Sequence, residues 1–461
     1  MTARPHRPRL SSRIEVRFHI VDDEEHVVLL DTHTQQVLEI SVRDWHILEQ
    51  ADGSRDLDAL CLAATRLGFY RGESEIRQLL EELDDAGVLD DGLPHITRAP
   101  PVPVDRSPKD RPLEPLPGFR LYCDGRGTCC RAYGSVPFLP EEALRARVHA
   151  QDASLPIARS LLFAPLRGAQ RDDASEPFAV ALVQGRCAFL NLNNLCDLHS
   201  ALGHDKKPFA CQAYPAVYVD DGVAIRVSPT PECACIFDSA GGHRGSGLVS
   251  PGATRREHLH EMVEPRPVPD PVPLTERHAT DRAALRCWSV SVHRRLLGER
   301  EPDLDAPGFA LAMAAAMADG ALSADVAPTS LEALRPWVQA FRSRAEDVAE
   351  TQDAWRGASD LSRHVARWIS DALRDADVFA APPRPETERF YLASLAWGHR
   401  VATGGRTLAH GLRDRATRML VARAMASSPS RPAALSHPLA LLEAAVRNLG
   451  ITGYADELDS R

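Results

Sequence analysis

The sequence lacks an apolar run long enough to span a bilayer, and aromatic residues make up only 6% of its 461 residues. The longest apolar run, FALAMAAAMA at 309–318, stops at Asp319, well short of the ~20 residues a transmembrane helix requires. The basic start MTARPHRPRLSSR is followed by no apolar secretory region. No membrane association is therefore expected, and the cytoplasm is the expected compartment. Thiols stay reduced there, so dense cysteines read as metal ligands rather than disulfides. Lysine is absent from residues 13–92, where 20 Asp and Glu stand against 7 Arg, a formal charge of -13 in a chain whose total is -10. Like-charge repulsion argues against nucleic acid as a partner of this segment and suits a basic peptide. No repeat of fixed period is present. Nor is there a dinucleotide-type glycine motif between a strand and a helix. The segment GGHRGSG (241–247) follows no clear strand and reads as a flexible exit loop.

What is there divides the chain into five segments. After a disordered leader (1–12), VRFHIV (16–21), HVVLLD (26–31) and QVLEIS (36–41) alternate as three strands. Helical spacing follows, with Ser41 as a cap before Trp45, Ile47 and Leu48. A second helix carries Leu57, Leu60, Cys61 and Ala64, and a third carries Ile76, Leu79, Leu80 and Leu83 before Gly87. This predicts an α+β, winged-helix-like domain over 13–92, with Cys61 in its core. Residues 93–118 are rich in proline and read as a semi-rigid tether. A loop-rich cysteine domain is expected over 119–246, and a second Pro-rich linker over 247–277. Amphipathic helices at 281–298, 309–322, 330–349, 361–376, 388–402, 407–426 and 437–450 predict a helical bundle over 278–461. The expected class is multidomain and mainly α. Cys287, beside Trp288, reads as core, and His293, His364, His399 and His410 as structural or exposed.

Eight of the ten cysteines fall between 123 and 235: Cys123, Cys129, Cys130, Cys187, Cys196, Cys211, Cys233 and Cys235. Gly125 and Gly127 let the backbone curl so that thiolates can converge. The adjacent pair Cys129–Cys130 favours ligation over bonding to each other. Four thiolates satisfy one tetrahedral zinc or one four-iron cluster, and eight can fill two sites, or one site with spare thiols nearby. The spacing matches neither a zinc ribbon nor a C-x3-C-x2-C cluster loop. Metal binding is the reading, with an iron–sulfur cluster favoured and zinc the alternative. Cys196 opens a short helix that ends at Gly203 and places His199 on the same face. Asp124, Arg126, Tyr133, Asp197, His204 and Tyr214 are further polar candidates, each most simply a surface or hydrogen-bonding group around the ligands. His258 and His260, in REHLHEM, can approach a metal by spacing alone.

Two resemblances add to this. The order of strands and helices over 14–91, with VVLLDTHTQQVLEIS and EIRQLLEELDDAGVL, resembles the PqqD-like peptide-recognition domains. That resemblance implies capture of a substrate peptide as an added strand at the sheet edge. CAFLNLNNLCDLHSALG and ACQAYP resemble the YkgJ-type cysteine-cluster family of zinc- or iron-chelating domains, and within it are most similar to the flagellin lysine-N-methylase branch. Cys129, Cys130, Cys187, Cys196 and Cys211 fall on that family's motif cysteines, Cys123 fits the upstream one, and Cys233 and Cys235 follow. The resemblance implies a cysteine-bound cluster and, in that branch, methyl transfer from S-adenosylmethionine to lysine. The methyltransferase reading rests on it alone. The competing reading is a non-catalytic zinc- or iron-binding protein with a structural or sensing role.

Overall fold

The structure, a computed structural model, describes residues 7–91, 108–152, 162–165, 177–451 and 454, except 12, 22–23, 32–35, 54, 67–71, 124–126, 128–129, 132–135, 204–205, 243, 261–262, 299–300, 355–359, 404–405 and 431–436. It is a mixed α and β fold in two compact units. One comprises Met1–Pro101, Tyr133–Gln212 and Trp355–Asp360, and the other Val102–Ala132, Ala213–Ala354 and Leu361–Arg461. The segment 119–246, expected as one domain, is thus divided between them. Among the described residues no helix is long and apolar enough to cross a membrane.

In the first unit, β1 (Pro8–Leu10) is followed by β2 (Ile14–Val21), β3 (Glu24–Asp31) and β4 (Val37–Ile40). The helices α1 (Val42–Leu48), α2 (Leu57–Arg66) and α3 (Glu73–Asp85) come next, and β5 (Leu89–Asp91) returns to pair with β1. The alternation of Ile14, Val16 and Phe18 with Arg17 and His19 puts the first set against the helices. Ser41 Oγ accepts from Asp44 N at 3.1 Å and starts α1, whose Trp45 meets Phe18 edge to face. On α3, Ile76, Leu79 and Leu83 face the same core, and Gly87 (φ +70) follows the helix with the left-handed turn only glycine adopts cheaply. Cys61 is half-buried and packs at the margin of this core.

The same unit takes in the middle of the chain. It holds β7 (Pro137–Phe138), α4 (Pro140–Asp152), β8 (Phe163–Pro165), β9 (Phe178–Val180), β10 (Leu182–Val183), β11 (Arg186–Cys187), α5 (Asp197–Leu202) and α6 (Phe209–Ala213). The main sheet runs β11-β10-β2-β3-β4. β10 lies parallel to β2, with Leu182 opposite His19 and Val183 opposite Ile20, and Gln184 N donates to Ile20 O. A three-stranded sheet, β7-β9-β8, lies beside β2. Segment 133–212 is therefore joined to the N-terminal sheet by backbone pairing.

The second unit is built on a sheet ordered β14-β12-β13-β6, from β6 (Leu113–Pro115), β12 (Ala216–Asp220), β13 (Ile225–Pro229) and β14 (Arg266–Pro267). Both edge strands come from stretches expected as proline linkers. Proline lacks an N–H and is tolerated at sheet edges, so Pro115 and Pro267 sit where no inner ladder needs them. A short ladder joins β15 (Val272–Pro273) to β16 (Ala279–Thr280). The helices are α7 (Cys235–Ser239), α8 (Arg282–Leu297), α9 (Ala306–Ala318), α10 (Arg335–Ala354), α11 (Asp360–Asp375), α12 (Pro385–Trp397), α13 (Leu408–Ser427) and α14 (Pro438–Asn448). They do not stand apart as a bundle. One continuous core joins Val219, Val227, Val268 and Leu274 to Phe309, Trp368 and Leu420. The apolar run at 309–318 is the buried helix α9, packed along α13. Cys287 is exposed and Trp288 is buried, which corrects the expectation of a core cysteine.

Candidate metal centre

The thiols fall into two sets. In the first unit, Cys187 ends β11 after a two-residue hairpin turn at Gln184 and Gly185, both with positive φ. Such turns match the twist of the flanking strands and suit glycine at the second position. The loop that follows is knotted by Asn191. Its Oδ1 accepts from Asn193 N and Leu195 N, each at 3.0 Å, and its Nδ2 donates to Asp197 Oδ1 at 2.8 Å. Arg186 donates to Asn191 O and Asn194 Oδ1. This loop folds the chain back so that Leu190 bridges Cys196, and Leu190 N donates to Cys187 O. Cys187 and Cys196 both pack at the margin of the core cluster that contains Phe138, Phe163, Phe189 and Leu198. Cys196 is the N-cap residue of α5, and His199 lies exposed on that helix. The Asp197 carboxylate has a structural use, holding the loop.

Cys211 rides on α6, which Glu142 secures. The buried Glu142 carboxylate accepts Leu139 N at 2.9 Å and Phe209 N at 2.7 Å, tying α4 to the start of α6. Glu142→Ala leaves both N–H groups without this acceptor and is expected to cost about 1–3 kcal/mol. Faster hydrogen exchange across 209–213 is the readout. Unchanged exchange there would remove the carboxylate from the account of how Cys211 is placed.

In the second unit, Cys123 is exposed, Cys130 and Cys235 are half-buried and Cys233 is buried in the core. The strand end before Cys123 is pinned from two sides. Leu121 bridges Ser246, and Arg120 donates to Gly245 O at 2.6 Å. Gly245 has φ +102, and a Cβ there would collide with the Leu121 carbonyl, so only glycine fits. The stretch expected as a flexible exit loop is therefore a docked return segment at 245–246. Tyr122 N donates to Ser239 Oγ at 3.0 Å, and that hydroxyl donates to Cys235 O at 2.7 Å. Cys123 is in this way held to the helix that Cys235 begins.

Family models, curated proteins and solved structures give no match for this chain. What its thiols can hold is therefore argued from their chemistry.

Cys130, Cys196 and Cys233 carry free thiols, and thiolates are the donors that zinc and iron–sulfur clusters share. Among the described residues, no three His, Cys, Asp or Glu side chains converge as a ready-made metal site. Cys129, Asp124, Arg126, Tyr133 and His204 lie outside the described residues. Tyr214 packs at the margin of the second core. His258 Nδ1 accepts from Thr254 N and Arg255 N, so it serves its own turn.

In a second polar cluster only His399 carried a sequence expectation, as structural or exposed. Asp221 and His399 are fully buried, and His399 Nε2 donates to Asp221 Oδ2 at 3.3 Å. Arg286 Nη1 donates to the same oxygen at 2.5 Å, and Arg286 Nη2 grips both Glu114 oxygens at 2.8 and 3.0 Å. Val223 N and Ala224 N donate to Asp221 Oδ1. The buried Arg226 lies 4.0 Å over the Trp397 ring and pairs with Asp221 and Glu114. Burial alone would raise the Asp221 pKa, but hydrogen bonds from His399 and Ala224 N and the charge of Arg286 hold it well below the carboxylate range. Burial lowers the His399 pKa, so this imidazole stays neutral. Two arginines against two carboxylates make a neutral knot fastening β6, β13 and α8. The sequence signal was present in AVYVDDGVAIRV, where alternating strands flank an Asp-Gly turn.

Proposed function

We propose that this chain is a cysteine-ligated metalloprotein that modifies a peptide or protein substrate, with the N-terminal domain recruiting that substrate. The observation that carries the reading is eight cysteines within 113 residues, three of them described as free thiols. The ligands are drawn from Cys123, Cys129, Cys130, Cys187, Cys196, Cys211, Cys233 and Cys235. The favoured group is an iron–sulfur cluster, with zinc the alternative. A cluster supplies electron transfer, whereas zinc supplies Lewis acidity or rigidity. The N-terminal domain is read as winged-helix-like and PqqD-like. Its β2 edge is taken by the chain's own β10, and among the described residues β4 pairs only with β3. An extended, basic peptide can therefore add at β4, in keeping with the domain's charge.

The reaction is read as lysine N-methylation in the cytoplasm, supported by likeness to the flagellin lysine-N-methylase branch of the YkgJ-type family. In that reading S-adenosylmethionine would supply the methyl group and a lysine amine of the substrate would accept it.

Anaerobic purification followed by iron, zinc and sulfide analysis tests the proposal. The expected result is iron and acid-labile sulfide in equal amounts, about four of each per cluster, with broad visible absorbance. Stoichiometric zinc without sulfide would replace the cluster by a structural or sensing zinc protein. Metal-free protein with all thiols titrating would overturn both.

A further inference from the structure

The β4 edge has two unlike faces. In the β3–β4 register, Glu39 stands opposite Val28 and Ile40 opposite Val27. Leu38 and Ile40 belong to the face that packs on the helices. Glu39 lies on the other face, and His26 Nδ1 meets its carboxylate at 2.5 Å. Val37, at the start of β4, is 45% exposed. A groove of about 610 Å³ opens beside this edge, lined by Glu25, His26, Glu39, Ile40, Ser41, Val42 and Arg43. Its carboxylates are Glu39 and, on the face of Leu38 and Ile40, Glu25, and its cationic side chain is Arg43. The surrounding segment 13–92 carries -13.

A strand laid against β4 alternates its side chains between those two faces. Every second residue meets Leu38 and Ile40, and the residues between meet Glu39. We infer that the recruited segment is an extended strand alternating apolar with cationic side chains, and that Glu39 selects the cations. This rests on the reading that a peptide adds at β4, and it goes further by fixing which positions of the peptide are charged. The opposing Arg43 leaves room for a limited number of cations, so the selectivity is local rather than a general attraction to basic protein.

Two fluorescent peptides of about ten residues, the usual upper length of a strand, test this: one alternating Lys and Val, the other Glu and Val. Anisotropy is read with the full chain at fixed salt. The Lys–Val peptide is expected to bind at least about tenfold tighter, and E39Q to reduce that ratio to about twofold or less. Equal binding, or tighter binding of Glu–Val, would overturn the cation assignment while leaving strand addition in place. A Lys–Val preference that survives E39Q would move the cation contacts elsewhere and overturn it too. If neither peptide binds, strand addition itself fails, and this inference with it.

Discussion

Asp221→Ala is expected to destabilise the second unit by about 3–5 kcal/mol, because it removes one member of a buried charge set and leaves the others in place. Arg286 loses its bond to Asp221 Oδ2, Arg226 loses one of its two carboxylates, and His399 Nε2 loses its acceptor. The N–H groups of Val223 and Ala224 lose theirs as well, loosening the turn between β12 and β13. Glu114 alone must then neutralise two guanidiniums, one of them fully buried. Asp221→Asn keeps an acceptor for the turn and loses only the charge, so it should fall between wild type and Ala. Urea unfolding followed by tryptophan emission reports mostly on this unit, since it holds Trp288, Trp337, Trp368 and Trp397, four of the six tryptophans. A loss under about 1 kcal/mol for Asp221→Ala would mean that the knot is solvated or replaceable and not a fastening for the sheet.

The first unit should weaken in acid through His19. Burial, then the charges of Arg17 and His26, push its pKa down to about 3 from an ordinary 6.5. An unfolded chain binds this proton below pH ~6.5 while the folded one refuses it. Stability is therefore full above pH ~6.5 and falls by roughly 1.4 kcal/mol per pH unit until the folded pKa is reached. At pH 5 the loss is about 2 kcal/mol, and it approaches roughly 4–5 kcal/mol near pH 3. His19 sits between His26 on β3 and Leu182 on β10, so the weakening should centre on those strands. Hydrogen exchange of residues 14–31 at pH 7 and 5, corrected for the intrinsic rate, measures it. His19→Leu should flatten the dependence. Parallel profiles for wild type and His19→Leu would assign the acid response to other groups.

Much of the N-terminal domain was legible because its signals are local. Strands expected at 16–21, 26–31 and 36–41 are observed at Ile14–Val21, Glu24–Asp31 and Val37–Ile40, and Ser41 caps α1 as its position suggested. The helical phase of Ile76, Leu79 and Leu83 was equally readable. What escaped was non-local. A two-residue strand such as Leu182–Val183 has no period to detect, and its pairing with His19 and Ile20 spans more than 160 residues of chain. The proline stretches misled because Pro marks linkers and sheet edges alike, and only the tertiary partner, β13 for Leu113–Pro115, decides between them. At the candidate centre the cysteines could be named from sequence, but their division between two units could not. Nothing local to Cys187 or Cys233 says which core receives it.

The seating of β10 on β2 sets where this protein can be cut. A fragment ending at residue 91 would hold all three of its long strands and its helices, yet present the eight-residue β2 as a bare flank. Such a flank is an invitation to self-association, two copies joining strand to strand where β10 belongs. Grafting the N-terminal domain onto another protein would thus require carrying residues 182–183 along, or disarming β2 with a charge or proline on its outer side.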